Sequence, residues 1–347
     1  MNIEPEQVKK LLVIKPRAVG DVLLSTVVIR NLRAAFPHAE IHYLTEPPSA
    51  PVVANNPAVD AVVVFDPHSM SGLELIRRVR KGQYDLVFDL FGNPRTALVT
   101  RLSGARHRVG YRFRGRSYAY TVLVEPRGDR VHNTQFNLDA LEALGIPIID
   151  RTVEFPVPAE DQDSMDRYLE SSAPPGALLV AVNTGGGWYT KRWPLERFAR
   201  LADAIADRFG AAILLPWGPG QLEEVQTVRN AMHHIPLVPP RTTLTQLGAL
   251  LRRCSLLVSN DSGPMHIGAA VGTRVVGIYG PTNPLLQGPH GSGHVIIRNE
   301  RLTCLGCNLT SCPIGLPCML DLGIEEVMDG VERAMAGTHG DEKAREP

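Results

Sequence analysis

Three stretches of this sequence set acid–base or phosphate-binding side chains where an apolar run gives way to a helical pattern. The first, from Lys15 to Leu24, carries Gly20 and Asp21. Gly20 permits a tight turn and close backbone approach, and Asp21 sets a carboxylate at a helix N-terminus. Such a carboxylate either faces a ligand cleft or serves only as the helix cap, which is the commonest work of Asp there. The second stretch, Asn183 to Pro194, has Gly185, Gly186 and Gly187 followed by Lys191 and a helix opening at Pro194. Backbone N–H groups and an ammonium in that order suit phosphate oxygens; a flexible turn with one solvated lysine is the plainer alternative. The third, Ser259 to Ala270, places Asp261, Ser262 and Gly263 at the start of a helix of small residues. The N–H groups there would hold a diphosphate, and Gly268, Ala269 and Ala270 let the helix approach its sheet. Capping also accounts for Asp261, and a core position accounts for His266. Neither G-x-G-x-x-G nor G-x-x-x-x-G-K-[ST] occurs, which argues against a dinucleotide oxidoreductase and a Walker-type nucleotidase.

Two further clusters stand out. Arg95, Arg101, Arg106, Arg108, Arg112, Arg114 and Arg116 crowd one segment of a chain whose 36 Lys+Arg balance 36 Asp+Glu. They form either a solvated face or a cradle of guanidinium forks for a phosphorylated acceptor. Nearby Tyr111, Phe113, Tyr118 and Tyr120 suggest single-stranded nucleic acid, but zero net charge and the lack of an RNA motif exclude it. Cys304, Cys307, Cys312 and Cys318 lie in one loop, a density that suits tetrahedral thiolate ligation of structural zinc or iron. Buried or redox-labile thiols are the alternative; Cys254, beside an apolar run, reads as core.

The elements that must hold these residues follow from hydrophobic patterning. Leu11–Ile14, Ile41–Leu44, Ala61–Phe65 and Leu86–Leu90 are apolar runs separated by helix-length intervals, including Val22–Ala35. That alternation predicts βαβ units around a parallel sheet. A helix over 133–144 stops at Gly145, with Pro147 beyond it. Residues 148–175, with several prolines and an acidic segment, are the expected boundary, after which the alternation restarts. Strands are expected at 177–182, 211–215, 256–258 and 274–279, and helices at 194–209, 243–252 and 325–335. The predicted organisation is α/β: one Rossmann-like domain over 1–160, a second over 161–335 and a disordered tail over 336–347. Of 347 residues, 44% are hydrophobic and 21% charged, an ordinary globular balance. The absence of a secretory stretch in Met1–Lys10 and the five cysteines, four of them local, predict a cytoplasmic protein.

Taken in order, the Gly20-Asp21 loop, Lys191-Arg192-Trp193-Pro194, Leu215-Pro216-Trp217-Gly218, Asn260-Asp261-Ser262-Gly263-Pro264-Met265-His266 and Tyr279 to Pro284 resemble the ADP-heptose:lipopolysaccharide heptosyltransferases, glycosyltransferase family 9. The resemblance spans about Lys10 to Met335 and includes the late cysteines. It implies a GT-B fold, two Rossmann-like domains with sheets facing a cleft, acceptor on the first and nucleotide sugar on the second. Asp21 then resembles the general base for the acceptor hydroxyl, and Lys191 the lysine that binds donor phosphates. Asp261, Ser262, Gly263 and His266 match the donor motif. Thr242 falls near the adenine, Thr184 becomes a further phosphate donor, and Trp217-Gly218 with Glu223 and Glu224 match the region where a glutamate holds the ribose. Gln221-Leu222 precedes that pair, so the choice of glutamate stays open. Arg95, Arg112, Arg114 and Arg116 would bind an anionic glycolipid acceptor of the Kdo-lipid A type. The implied reaction is inverting heptose transfer from ADP-heptose to the lipopolysaccharide inner core, peripheral to the inner membrane. No cofactor is expected for catalysis, because a sugar nucleotide brings its own leaving group. A relative using another nucleotide sugar or a protein acceptor, or a non-catalytic nucleotide-sugar or metal-binding module, are the competing readings.

Overall fold

The computed structural model describes residues 4–336; most of the tail expected over 336–347 lies outside the described residues. The chain divides between Pro156 and Val157 into two compact units. In the first, β1 (Lys10–Ile14), α1 (Val19–Ser25), α2 (Val27–Ala35), β2 (Glu40–Thr45), α3 (Ala50–Ala54), β3 (Ala61–Val64) and α4 (Gly72–Lys81) follow one another. β4 (Leu86–Asp89), α5 (Pro94–Leu102), β5 (His107–Tyr111), β6 (Val122–Val124) and α6 (Asn133–Glu142) complete it. Its strands pair in the order β3-β2-β1-β4-β5-β6, with every neighbouring pair parallel. Leu11, Leu12, Val13 and Ile14 are wholly buried, as expected of a central strand covered on both faces. The order reverses between β1 and β4, so the carboxyl ends of these two strands flank the crevice where such sheets take ligands.

The second unit begins with α7 (Ala159–Ser172), then β7 (Leu179–Asn183), α8 (Leu195–Phe209), β8 (Ala212–Leu214), α9 (Leu222–Ala231) and α10 (Leu244–Arg252). β9 (Leu256–Asn260), α11 (Gly263–Ala270), β10 (Arg274–Ile278), α12 (Pro284–Gln287), β11 (Val295–Ile297), α13 (Pro317–Leu320) and α14 (Ile324–Ala336) follow. This parallel sheet runs β11-β10-β9-β7-β8 and reverses between β7 and β9. Its core gathers Val180, Val182, Trp193, Phe198, Ile205, Val258, Ile278, Met319 and Val331. The Trp193 indole N–H donates to Leu322 O at 3.0 Å, which ties the loop before α8 to the chain end of the unit.

Two α/β units, each built on a parallel sheet, are thus those expected, but several elements differ from their sequence reading. The first helix begins at Val19 rather than Val22, so Gly20 lies inside its first turn instead of forming a turn of its own. The proline-rich segment 148–175 is not a plain linker. Asn31 Oδ1 accepts from the Ile149 and Asp150 N–H groups at 2.8 and 3.1 Å, binding that stretch to α2. Farther on, α7 forms with Glu160 and Asp161 in its first turn, where acidic side chains complement the helix dipole. Only Met165 and Leu169 of α7 are buried, too thin an apolar stripe to stand out in sequence. β5, β6 and β11 went unforeseen; two of them have three residues each, and β5 opens with half-buried His107 and Arg108.

Candidate functional site

At the β7/β9 reversal of the second unit, both strands end in asparagine, a polar residue closing an apolar run. Asn183 Nδ2 donates to Ser259 Oγ at 2.9 Å and to Ser262 Oγ at 3.1 Å. Asn260 Nδ2 donates to Thr184 O at 2.8 Å, and its Oδ1 accepts from the Trp193 N–H at 3.1 Å. Two buried amides thereby tie the glycine loop after β7 to the start of α11. Both asparagines were missed as site residues; a polar residue at the carboxyl end of each central strand was the available signal.

On this frame Asp261 is 4% exposed, and its Oδ2 receives the Lys191 ammonium at 2.7 Å and the Thr282 hydroxyl at 2.6 Å. The Lys191 Nζ also lies 4.5 Å from the centre of the Trp188 ring, over its negative face. Lys191 and Asp261, 70 residues apart in sequence, are therefore partners. Neither is idle surface charge. Ser262 holds the N-cap position of α11 in extended backbone with no capping bond from its side chain, and Gly263 is the first helical residue, so the N–H groups of that helix start lie beside the pair. Gly268 permits the close packing read from sequence, since a Cβ there would stand 2.6 Å from Leu257 Cδ2. Thr184 and His266 are buried.

The Gly218 N–H donates to Gln221 Oε1 at 2.8 Å, and the Gln221 amide lies directly against Gly185. Gln221 thus spans from the Trp217-Gly218 corner to the glycine loop, a bridge no spacing rule announced. Trp217 donates its indole N–H to Pro239 O at 2.8 Å, fixing the segment that leads to half-exposed Thr242. Of the two candidate glutamates, Glu223 is exposed, whereas Glu224 pairs with Arg192 at 2.5 Å and keeps its second oxygen buried without a partner.

The loop bearing the cysteines is stitched to the same frame. Thr190 Oγ1 donates to Leu309 O at 2.8 Å, and the Asn308 N–H donates to Pro281 O at 2.6 Å, one residue before Thr282. Of the two readings of Cys304, Cys307, Cys312 and Cys318, a four-thiolate centre or buried and redox-labile thiols, the arrangement matches the second. Among the described residues no group of three or more His, Cys, Asp or Glu is placed to share an ion. Cys318 is buried against Gly280, its thiol pushed up to about 11 by burial and by the neighbouring sulfurs. Cys312 Sγ accepts the Leu316 N–H at 3.2 Å, while Cys304 and Cys307 face solvent. The sulfurs lie near enough for Cys312, Cys307 and Cys304 to raise the Cys318 thiol, but not as a set of ion ligands.

In the first unit the β1/β4 reversal carries a buried ionic network. Lys15, directly after β1, donates to Leu90 O at 2.9 Å and to Asn137 Oδ1 at 3.4 Å. Burial drives its ammonium pKa down, against the pull of the Asp21 and Asp89 carboxylates. Asp89, wholly buried at the end of β4, accepts from Gly92 N–H at 2.9 Å, Phe91 N–H at 3.1 Å and the Tyr120 hydroxyl at 2.7 Å. Burial raises its pKa, and those hydrogen bonds oppose the rise. Asp21, in the first turn of α1, is half-exposed, and its Oδ2 accepts the Ala18 N–H at 3.3 Å. It therefore caps loosely and keeps an accessible carboxylate. Of the four arginines expected to meet an acceptor, Arg116 donates to Gly92 O at 2.7 Å and lies over Phe113, and Arg95 lies over the Phe65 ring. Arg112 is tied to Glu125 on the surface, and Arg114 is exposed.

Comparison with known proteins gives these arrangements a family. Residues 73–316 match the model of glycosyltransferase family 9 (heptosyltransferase). The chain is 30% identical over 290 residues to lipopolysaccharide heptosyltransferase 3 of Escherichia coli (strain K12), covering 78% of this chain and 82% of that one. It superposes on the glycosyl transferase family 9 protein of Veillonella parvula DSM 2008 with a TM-score of 0.85 at 27% identity, over 97% of this chain and 99% of that one. E. coli heptosyltransferase WaaC with ADP shares the fold at a TM-score of 0.72 and 21% identity, over 94% and 99% of the two chains. The family match takes in the Lys191–Asp261 pair and most of the chain, and this protein belongs to glycosyltransferase family 9, the heptosyltransferases, as a glycosyltransferase enzyme.

Proposed function

We propose that this enzyme transfers heptose from ADP-heptose to the inner core of lipopolysaccharide, on an acceptor of the Kdo-lipid A type, with inversion at the anomeric carbon. The observation that carries the reading is the Lys191–Asp261–Thr282 group beside the α11 N-terminus, at the switch point of the second sheet. A cation and free N–H groups there suit a diphosphate, and the buried carboxylate suits sugar hydroxyls. Relatives named lipopolysaccharide heptosyltransferases, and a related structure holding ADP, support the donor and the acceptor class. The second unit is then the donor domain and the first the acceptor domain, acting at the cytoplasmic face of the membrane.

In the step itself the acceptor hydroxyl gives its proton to Asp21 as its oxygen bonds to the anomeric carbon. The bond from that carbon to the diphosphate breaks, and ADP leaves with the electron pair. Lys191 and the N–H groups at Ser262 and Gly263 stabilise the charge that develops on the leaving group. Thr184 adds a phosphate contact, and Gln221 or Glu224 stands where the ribose would be held. Arg95, Arg114 and Arg116 receive acceptor phosphates; Arg112 must first give up Glu125.

Asp21→Asn tests the reading. General-base removal typically costs about 10²–10⁴-fold in rate, while ADP affinity, measured by calorimetry, stays unchanged. Full activity in Asp21→Asn sinks the base assignment. Thermal stabilisation of the native protein by UDP or GDP in preference to ADP moves the donor to another nucleotide sugar.

A further inference from the structure

The outward face of α4 and α5 is explained neither by the core nor by the donor and acceptor residues. Both helices pack on one side of the first sheet, where Leu75 and Val79 of α4 and Val99 of α5 share a core with Leu12, Ile14 and Val87. Their solvent sides carry Leu73 at 58%, Leu98 at 43% and Leu102 at 37% exposure. Interleaved with these leucines are exposed Arg77, Arg80, Lys81 and Arg101, with exposed Arg106 just beyond α5. Among the described residues none of these five cations has an acidic partner. Over 72–118 there are eleven Lys and Arg against three acidic residues, in a chain whose total charge balances. Of those three, Asp89 is wholly buried and Asp85 accepts the Lys9 and Lys10 N–H groups at 2.9 and 3.0 Å, which leaves Glu74 as the acid on these helices.

We propose that this face docks the protein onto a lipid bilayer rich in anionic headgroups. Positive charge alone would suit any polyanion. Leucines standing free among the arginines favour a bilayer, because their side chains gain from entering the acyl boundary while the cations stay at the headgroups. A nucleic acid has no use for exposed leucine and is held instead by stacking on aromatic rings; on this face only Tyr118, at 59%, stands out. α5 starts two residues after Gly92, the residue Arg116 holds, so a bilayer against its flank lies close to the arginines assigned to the acceptor. The inference rests on the membrane contact already proposed for this enzyme and names the face that makes it, while the vesicle test does not depend on the heptose-transfer reading.

The test is co-sedimentation of the full-length protein with phosphatidylcholine vesicles, with and without phosphatidylglycerol, at low and high salt. Two double variants accompany it, Arg77→Glu with Arg101→Glu and Leu98→Ser with Leu102→Ser, both at exposed positions where the fold tolerates change. The wild type is expected to bind phosphatidylglycerol vesicles at least about tenfold more tightly than phosphatidylcholine and to release in high salt, with each variant weakened about tenfold. Unchanged ADP affinity in both variants shows that they fold. No preference for phosphatidylglycerol, or wild-type binding by the leucine variant, overturns the proposal; the second result leaves only a general polyanion surface. Failed vesicle binding with intact ADP binding removes the docking face and leaves the donor reading standing.

Discussion

Lys191 and Asp261 are both largely buried, with side chains 13% and 5% exposed and charges 2.7 Å apart, so removing one charge strands the other unequally. Lys191→Met leaves a buried carboxylate whose remaining side-chain donor is Thr282, and orphaning a buried charge costs about 3–5 kcal/mol. The retained hydroxyl puts the expected cost near the lower end, about 3 kcal/mol. Asp261→Asn leaves the ammonium, which keeps the face of Trp188 at 4.5 Å and more contact with water, so about 1–2 kcal/mol is expected. The double variant replaces an ion pair by neutral groups and recovers more than the Asp261→Asn loss, a coupling of about 2–3 kcal/mol. Thermal unfolding reads these values directly, because about 1 kcal/mol moves the midpoint by about 2–4 °C in a unit of this size. Lys191→Met should melt lowest of the four proteins, below the double variant. Single effects that add within about 0.5 kcal/mol, or a larger loss for Asp261→Asn than for Lys191→Met, would refute the buried-pair reasoning. Calorimetry on the same proteins should show ADP bound about 10–100-fold more weakly by Lys191→Met, the worth of one charge-assisted hydrogen bond.

Three further outcomes follow from the same coordinates. Gly110→Ala places a Cβ inside the Tyr120 ring, which cannot swing away while its hydroxyl holds Asp89; a loss of about 1–3 kcal/mol is expected by chemical denaturation, and a neutral substitution would show that the ring is not anchored. Asp89 has its pKa raised by burial, so the native state holds that proton more firmly than the unfolded chain does, and the stability it contributes is lost as pH rises through its native pKa. The wild type should therefore gain on Asp89→Asn as the pH is lowered from neutrality toward the carboxylate range, and parallel melting curves at every pH would contradict this. Thiol labelling should find Cys304 and Cys307 reacting first, with Cys254 and Cys318 slow because burial pushes their thiols up to about 12 and about 11. Slow labelling of all four late cysteines that becomes fast with a chelator would show instead that the sulfurs gather around an ion.

The sequence by itself determined the two parallel units, because strands buried on both faces must be largely apolar, and Leu11–Ile14, Leu86–Phe88 and Leu256–Val258 are such runs. It also singled out Asp21, Lys191 and Asp261 as candidates, since ligands in such sheets are met at strand ends and helix starts, where glycine and polar side chains interrupt the apolar pattern. What it could not contain was pairing. Lys191 meets Asp261, Thr282 completes that carboxylate, and Asn183 reaches Ser262 only because β7 lies next to β9. The choice of Glu224 over Glu223 for the buried side, and the insertion of Gln221 between Gly218 and Gly185, depend on the direction in which α9 leaves its loop. The cysteines give the same lesson from the other side, because residues crowded in sequence end with Cys318 buried and Cys304 and Cys307 in water. Local pattern records what each residue buries, whereas contacts between distant residues exist only once strand order has been set by packing of the whole sheet.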